Sequence, residues 1–138
     1  MTTNNSKHPA DVVVRSSAYS VRESMDRLED FLKHYGVTIY ARIDQQSELQ
    51  KAGLSLAPLE YLLFGNPKAG GPVMQANPVA AIALPLKVIA WEDAEKKVWV
   101  AYYSGAALAA AFGIPAIISA PLDLDGPIGK VLNAGPAV

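Results

Sequence analysis

Ser20 and Glu23 frame the start of a run in which Val21, Met25, Leu28, Leu32 and Tyr35 return at spacings of four, three, four and three, with Gly36 just beyond. A serine and, three residues on, a glutamate can each satisfy a free backbone N–H at a helix start, and a glycine suits the left-handed residue that closes one. The spacing puts all five apolar side chains on one stripe. Such a helix must bury that stripe, and the flanking segments supply the surface. Residues 12–19, VVVRSSAY, are rich in β-branched residues, and residues 37–44 alternate Val37, Ile39, Ala41 and Ile43 against Thr38, Tyr40, Arg42 and Asp44. Both read as strands, the second with one core face and one polar, aromatic face. The pattern predicts a helix laid across a sheet.

Residues 45–53 read as a short helix ended by Gly53, and 59–65 as a third strand. The stretch FGNPKAGGPVMQ, residues 64–75, then reads as a loop rich in glycine and proline. Pro72 suits the first turn of a following helix, which is bent or broken before Pro78. Residues 86–92 and 98–103 flank the polar turn DAEK and predict an antiparallel hairpin, with Trp91 and Trp99 facing each other across it. Residues 106–112 are helical by propensity and stop at Gly113 and Pro115. The expected division is a flexible leader over 1–10, one domain over 11–113, and an irregular segment over 114–138 with at best a short helix at 128–133. A tight hairpin and alternating strands favour α+β over alternating α/β units. The expected architecture is a single two-layer domain, a mainly antiparallel sheet with helices on one face.

Composition narrows the function classes. Only 18% of the 138 residues are charged, against about 25% in ordinary soluble domains. The hairpin strands also carry bulky apolar residues on both faces, so one helix layer leaves a second apolar face, and a homodimer is expected to bury it. The net charge of −1, with both signs mixed, lacks the basic footprint of a nucleic-acid binder. Without cysteine there are no disulfides, thiolate metal sites or cysteine nucleophiles. The N-terminal residues lack a signal peptide's apolar core, and no apolar run reaches the roughly 20 residues of a membrane helix. These features lead us to expect a cytoplasmic protein with no membrane or nucleic-acid partner.

The chemistry-bearing residues are few. In the 64–75 stretch a glycine, four residues and a second glycine imitate a nucleotide-binding loop, but Gly71 and Pro72 stand where the lysine and hydroxyl residue belong, so nucleotide hydrolysis is not expected. What survives is a set of glycine amides, a helix start and Lys68, which together favour an anion. The bland alternative is a structural turn in which Asn66 and Gln75 bond backbone. Lys87 lies in an apolar strand on the face of Ile89 and Trp91; desolvated, it could act as base or nucleophile, whereas snorkelling to water is the commoner outcome. Arg42 and Asp44 are expected on a polar strand face, lining a groove with Lys87 or forming a cross-strand ion pair. Glu92 and Asp93 read as a solvated turn, residues 123–126 as a turn rather than a calcium loop, and His8 and His34 lack the partners of a triad or a metal site. No metal or cofactor is expected. The ligand-binding candidates are therefore Asn66, Lys68, Gly70, Gly71, Gln75, Arg42 and Lys87. The preferred reading is a non-enzymatic dimeric domain that binds a small, anionic molecule or a partner protein near Gly65–Gln75. The alternative is a metal-independent enzyme acting on a small molecule through Lys87 or Lys68.

VVVRSSAYSVRESMDRLEDFL, GVTIYARIDQ, FGNPKAGGPVMQ and LPLKVIAWEDAEKKVWVAYY, in that order over residues 11–108, resemble the domain of unknown function 302 family. Gly71 and Val73 stand where that family commonly has threonine and leucine. SGAALAAAFGIP follows the last strand in place of an Asn-x-Pro, a tyrosine and a basic helix. The resemblance implies a small α+β domain similar in topology to the repeat unit of TATA-binding protein, usually dimeric, with no established reaction.

Overall fold

Ser20 caps the first helix as its position requires. Its Oγ accepts a hydrogen bond from the Glu23 N–H at 3.1 Å, and α1 runs Val21–His34 before Gly36 turns the chain at φ +76°. The reciprocal half of the capping box is replaced by an ion pair between the Glu23 carboxylate and Arg27 at 3.0 Å. The computed structural model describes residues 8–138, so most of the expected leader, residues 1–7, lies outside the described residues.

The strands are β1 (Val12–Ser16), β2 (Thr38–Asp44), β3 (Leu59–Gly65), β4 (Leu86–Glu92) and β5 (Val98–Tyr103). They form a single antiparallel sheet in the order β1-β5-β4-β3-β2. α1 therefore joins the two edges of the sheet and crosses one face of it. This arrangement is α+β and compatible with the TATA-binding-protein-like topology. Val21, Met25, Leu28 and Leu32 of α1 bury against Leu62 and Phe64 of β3, Val88 and Ala90 of β4, and Val100 and Tyr102 of β5. At about 1.5–3 kcal/mol for each large apolar side chain taken out of water, this is the main stabilising layer. The β4–β5 hairpin pairs Trp91 with Trp99 and is held by Asp93. One carboxylate oxygen of Asp93 accepts from the Glu95 and Lys97 N–H groups, each at 2.9 Å, and the other from the Trp99 indole at 2.8 Å. Asp93 thus organises its turn rather than merely being solvated in it.

The 64–75 stretch is not a loop. α3 (Pro67–Ala76) starts directly after Asn66, whose Oδ1 accepts from the Lys68 N–H at 3.0 Å, while Pro67 sits where no N–H is needed. Gly70, Gly71 and Pro72 are all inside the helix, where Pro72 lacks the donor that would reach the Lys68 carbonyl. The chain then breaks at Asn77 into a 3₁₀ segment, Pro78–Ala83. This segment, α3, α4 (Gly105–Phe112), α5 (Ala116–Ser119) and the 3₁₀ turn Ala120–Leu122 pack round Val73, Ala80, Leu108, Ala109, Ile114 and Leu122. They form a second, smaller core at one end of the sheet, and Leu86 touches both cores.

Residues 114–138, expected to be irregular, carry α5, the 3₁₀ turn and α6 (Asp125–Val131). α6 lies beside α1 on the helix face, with Ile128 1% and Leu132 0% exposed. The Tyr102 hydroxyl donates to the Asp125 carboxylate, and Arg15 Nη1 donates to the Asp125 carbonyl at 3.0 Å. Beyond α6 the backbone lines the free edge of β1, with Gly135 N–H to the Ser16 carbonyl at 3.2 Å and Val138 N–H to the Val14 carbonyl at 2.9 Å. Proline and glycine punctuate this segment without preventing burial. Ile128→Ala should therefore cost about 2–5 kcal/mol in urea unfolding, like Leu28→Ala in α1. A loss below about 0.5 kcal/mol would mark α6 as peripheral.

Candidate functional site

Residues Ile39 and Ala41 of β2 oppose Phe64 and Leu63 of β3, so Tyr40 is an extra residue with no partner. Such a β-bulge shifts the side-chain phase of everything after it. Arg42 therefore lies on the helix face with Ile39, while Ala41 and Ile43 turn to the open face, the reverse of strict alternation. From there Arg42 Nε donates to Glu60 at 2.8 Å, Nη1 to Asp26 at 2.6 Å and, at 3.4 Å, to Glu29, and Nη2 to the Arg22 carbonyl at 3.2 Å. Burial opposes the guanidinium charge, but hydrogen bonds and charges of Asp26 and Glu60 outweigh it and raise its proton affinity. Glu29 is held below the ordinary carboxylate range, chiefly by the hydrogen bond from Lys33 and then by Arg42. Arg42 is thus an ion-pair centre joining α1, β2 and β3, with four of its five N–H donors engaged. Asp44 caps α2 (Gln45–Lys51), accepting from the Ser47 N–H at 3.1 Å.

The bulge sends Tyr40 over Gly65, where a Cβ would sit 3.0 Å from the ring. Tyr40 and Gly65 form one wall of a cavity of about 520 Å³, the start of α3 the second, and the stretch from Ala81 to Leu86 the third. Asn66, Pro67, Gly70 and Met74 line it from the 64–75 stretch, and Leu122 closes it. A Cβ added at Gly70 would meet Leu84 and Met74 only at ordinary van der Waals distance, so the position tolerates alanine while a larger side chain would enter the cavity. Lys68, Gly71 and Gln75 are exposed or half-exposed on other faces of α3 and do not line the cavity. Its lining is apolar apart from Tyr40 and Asn66.

Lys87 stands elsewhere. It projects from the open face of β4, with its Nζ 5.1 Å from the centre of the Tyr61 ring, and lines a second cavity of about 460 Å³. Arg42 and Lys87 thus occupy opposite faces of the sheet, with β3 between their strands, and form no common groove. The structure groups Asn66 with Gly70, separates Lys87 from both, and adds Tyr40, Met74 and Leu84, which the sequence reading missed. Only Tyr40 had a signal, an aromatic residue on a nominally polar strand face; the bulge that aims it has none. No group of three or more histidine, aspartate or glutamate residues among the described residues is placed to hold a metal ion. No helix of the described residues is long and apolar enough to cross a membrane.

The chain matches the family described as Domain of unknown function DUF302 over residues 12–134 and belongs to it. A crystal structure of an uncharacterized conserved DUF302 protein from Bacillus stearothermophilus superposes with a TM-score of 0.75 over 91% of this chain and 98% of that one. At 20% identity it shows a shared fold. Fluoride-specific ion channel FluC 1 of Brucella suis biovar 1 (strain 1330) is 36% identical over 88 residues, 64% of this chain and 35% of that one. The protein of the same name from Brucella abortus biovar 1 (strain 9-941) is also 36% identical over 88 residues, there 33% of its length. This chain spans only 33–35% of the length of these curated relatives.

Arg42→Met leaves Glu60, whose side chain is 9% exposed, without its partner and should cost about 3 kcal/mol in urea unfolding. A cost below about 1 kcal/mol would reduce the cluster to an ordinary surface pair. The pH dependence has a definite sign. Glu29 and Asp93 both release protons more readily when folded, Asp93 chiefly through its hydrogen bond from Trp99. Their contribution is complete above the ordinary carboxylate range, about pH 4, and disappears as pH falls through the lowered folded values. Glu29→Gln and Asp93→Asn should each lose less stability than the wild type between pH 6 and about pH 3, measured by thermal melts. An acid limb as steep as that of the wild type would contradict this.

Proposed function

We propose that the domain is a non-enzymatic module that holds a small molecule in the cavity between Tyr40, the start of α3 and the Ala81–Leu86 stretch. The observation that carries this reading is the cavity itself, whose volume of about 520 Å³ falls among ligand pockets of roughly 300–1,000 Å³. Its lining favours an apolar body with one hydrogen-bonding group, met by the Tyr40 hydroxyl or the Asn66 amide. The anionic preference expected for this stretch loses its support because Lys68 faces solvent. The same exposure removes the desolvation that would make Lys68 reactive. Native mass spectrometry of the purified chain should show a co-purifying compound in the wild type and none in Gly70→Leu, which fills the cavity. Gly70→Ala should instead gain about 0.5–1 kcal/mol in α3. Equal occupancy in wild type and Gly70→Leu would remove the reading.

The open face supports a homodimer. Leu59, Trp91 and Trp99 lie side by side at the hairpin end of the face opposite α1, each half-buried. A two-fold contact there would bury about 800 Å² per copy. Light scattering at micromolar concentration should give a dimer mass, reduced to a monomer by Trp91→Glu with the circular dichroism spectrum retained. A monomeric wild type would refute it.

A second reading is favoured by the Brucella relatives, in which a segment similar to this chain makes up about a third of proteins named fluoride-specific ion channels. In this reading the domain works beside such a channel as an accessory module. Removing the matched segment from the Brucella suis protein should change fluoride efflux from proteoliposomes. Unchanged efflux would discard it.

A further inference from the structure

We propose that the second cavity is a separate site for a small amphipathic organic anion, an apolar or aromatic body bearing one carboxylate or sulfonate, bound by Lys87. This goes beyond the site above and does not depend on it. The cavity of about 460 Å³ lies at the end of the sheet opposite the Trp91–Trp99 pair, between the open-face side chains of β4 and β5 and residues of the 3₁₀ segment and α4. Its floor is Ile89 and Ala101, its sides are Tyr61, Tyr103 and Ile82, and Lys87 is the one charged residue in its lining.

Three observations on Lys87 point to an anion. None of the ion pairs among the described residues involves it, so its charge has no carboxylate partner. Its ammonium instead lies 5.1 Å from the centre of the Tyr61 ring, an interaction that orients the cation without neutralising it. The lining contributes no acidic side chain to repel a bound anion. Tyr103, 65% exposed, and Ile82, 83% exposed, stand at the rim as large apolar groups left in water. A ligand with a flat apolar body would cover them while its charged group meets Lys87, so both halves of the ligand are specified by complementarity. The first cavity differs in having no charged lining residue.

The test uses the full chain with two fluorescent probes, anilinonaphthalene sulfonate and its neutral counterpart phenylnaphthylamine. We expect the sulfonate to bind more tightly than the amine. Lys87→Met should weaken the sulfonate about tenfold and leave the amine within about twofold, while Lys87→Arg preserves both. Ala83→Trp, which fills this cavity, should exclude the sulfonate, and Gly70→Leu, which fills the other, should leave its affinity unchanged. The proposal is overturned if Lys87→Met leaves sulfonate affinity unchanged, if it weakens both probes equally, or if Gly70→Leu and not Ala83→Trp abolishes binding. Failure of Gly70→Leu to lose the co-purifying compound would leave this result untouched, so the two sites are judged separately. Should Lys87→Met not fold by circular dichroism, the wild type decides. Raising the salt concentration must weaken the sulfonate and not the amine, and salt-insensitive sulfonate binding overturns the proposal.

Discussion

The ion-pair centre at Arg42 is the constraint on which the edge of the sheet depends. One guanidinium draws together Asp26 and Glu29 on α1 and Glu60 on β3, with Glu60 only 7% exposed. A charge this deep is tolerated because it is paired and hydrogen-bonded, and its geometry matters more than its net energy. With Arg42 committed to the helix face, β2 cannot slip by one residue against β3 without burying an unpaired carboxylate. The bulge at Tyr40 is the counterpart of that commitment. The same extra residue that carries Arg42 inward carries Tyr40 out over Gly65, to the wall of a cavity.

The low charge content acquires a location. Residues 69–86 and 98–122 contain no aspartate, glutamate, lysine, arginine or histidine, and they hold most of α3, both 3₁₀ segments, β5, α4 and α5. The second core is built from these stretches. Part of the missing charge is therefore explained within one chain, because two cores need more apolar sequence than one. The rest falls on the open face, where the proposed dimer contact and the Lys87 cavity occupy opposite ends.

Both cavities border the segment that joins α3 to β4. Ala81 and Leu84 line the first, Ile82 and Ala83 the second, and Pro85 and Leu86 line both. Ala81, Ile82 and Ala83 close the 3₁₀ turn, whose successive residues point in different directions, and Leu84–Leu86 lead from it into β4, so six residues serve two concave surfaces. The chemistry of the two nevertheless differs. The first is apolar with two neutral polar groups, whereas the second offers one cation and three tyrosines, so the same wall separates two differently lined cavities.

The sequence alone determined the local elements, because local chemistry decides them. Ser20, Gly36 and the stripe from Val21 to Leu32 define α1, the apolar run of residues 59–65 marks β3, and the paired tryptophans define the hairpin register. The start of α3 at Asn66–Pro67 was hidden by the glycines that follow, which signal a loop. The bulge at Tyr40 was not legible, since period-two alternation through Val37–Asp44 looks continuous and only pairing with β3 reveals the extra residue. The burial of Ile128 and Leu132 was likewise hidden, because prolines and glycines signal turns and say nothing of what the intervening helix packs against. The site belongs to this second kind of information. Asn66 and Gly70 were candidates by composition, but their union with Tyr40, Leu84 and Leu122, and the parting of Lys87 from Arg42 to opposite faces, are set by strand pairing between residues far apart in the chain. Only the folded sheet fixes that pairing.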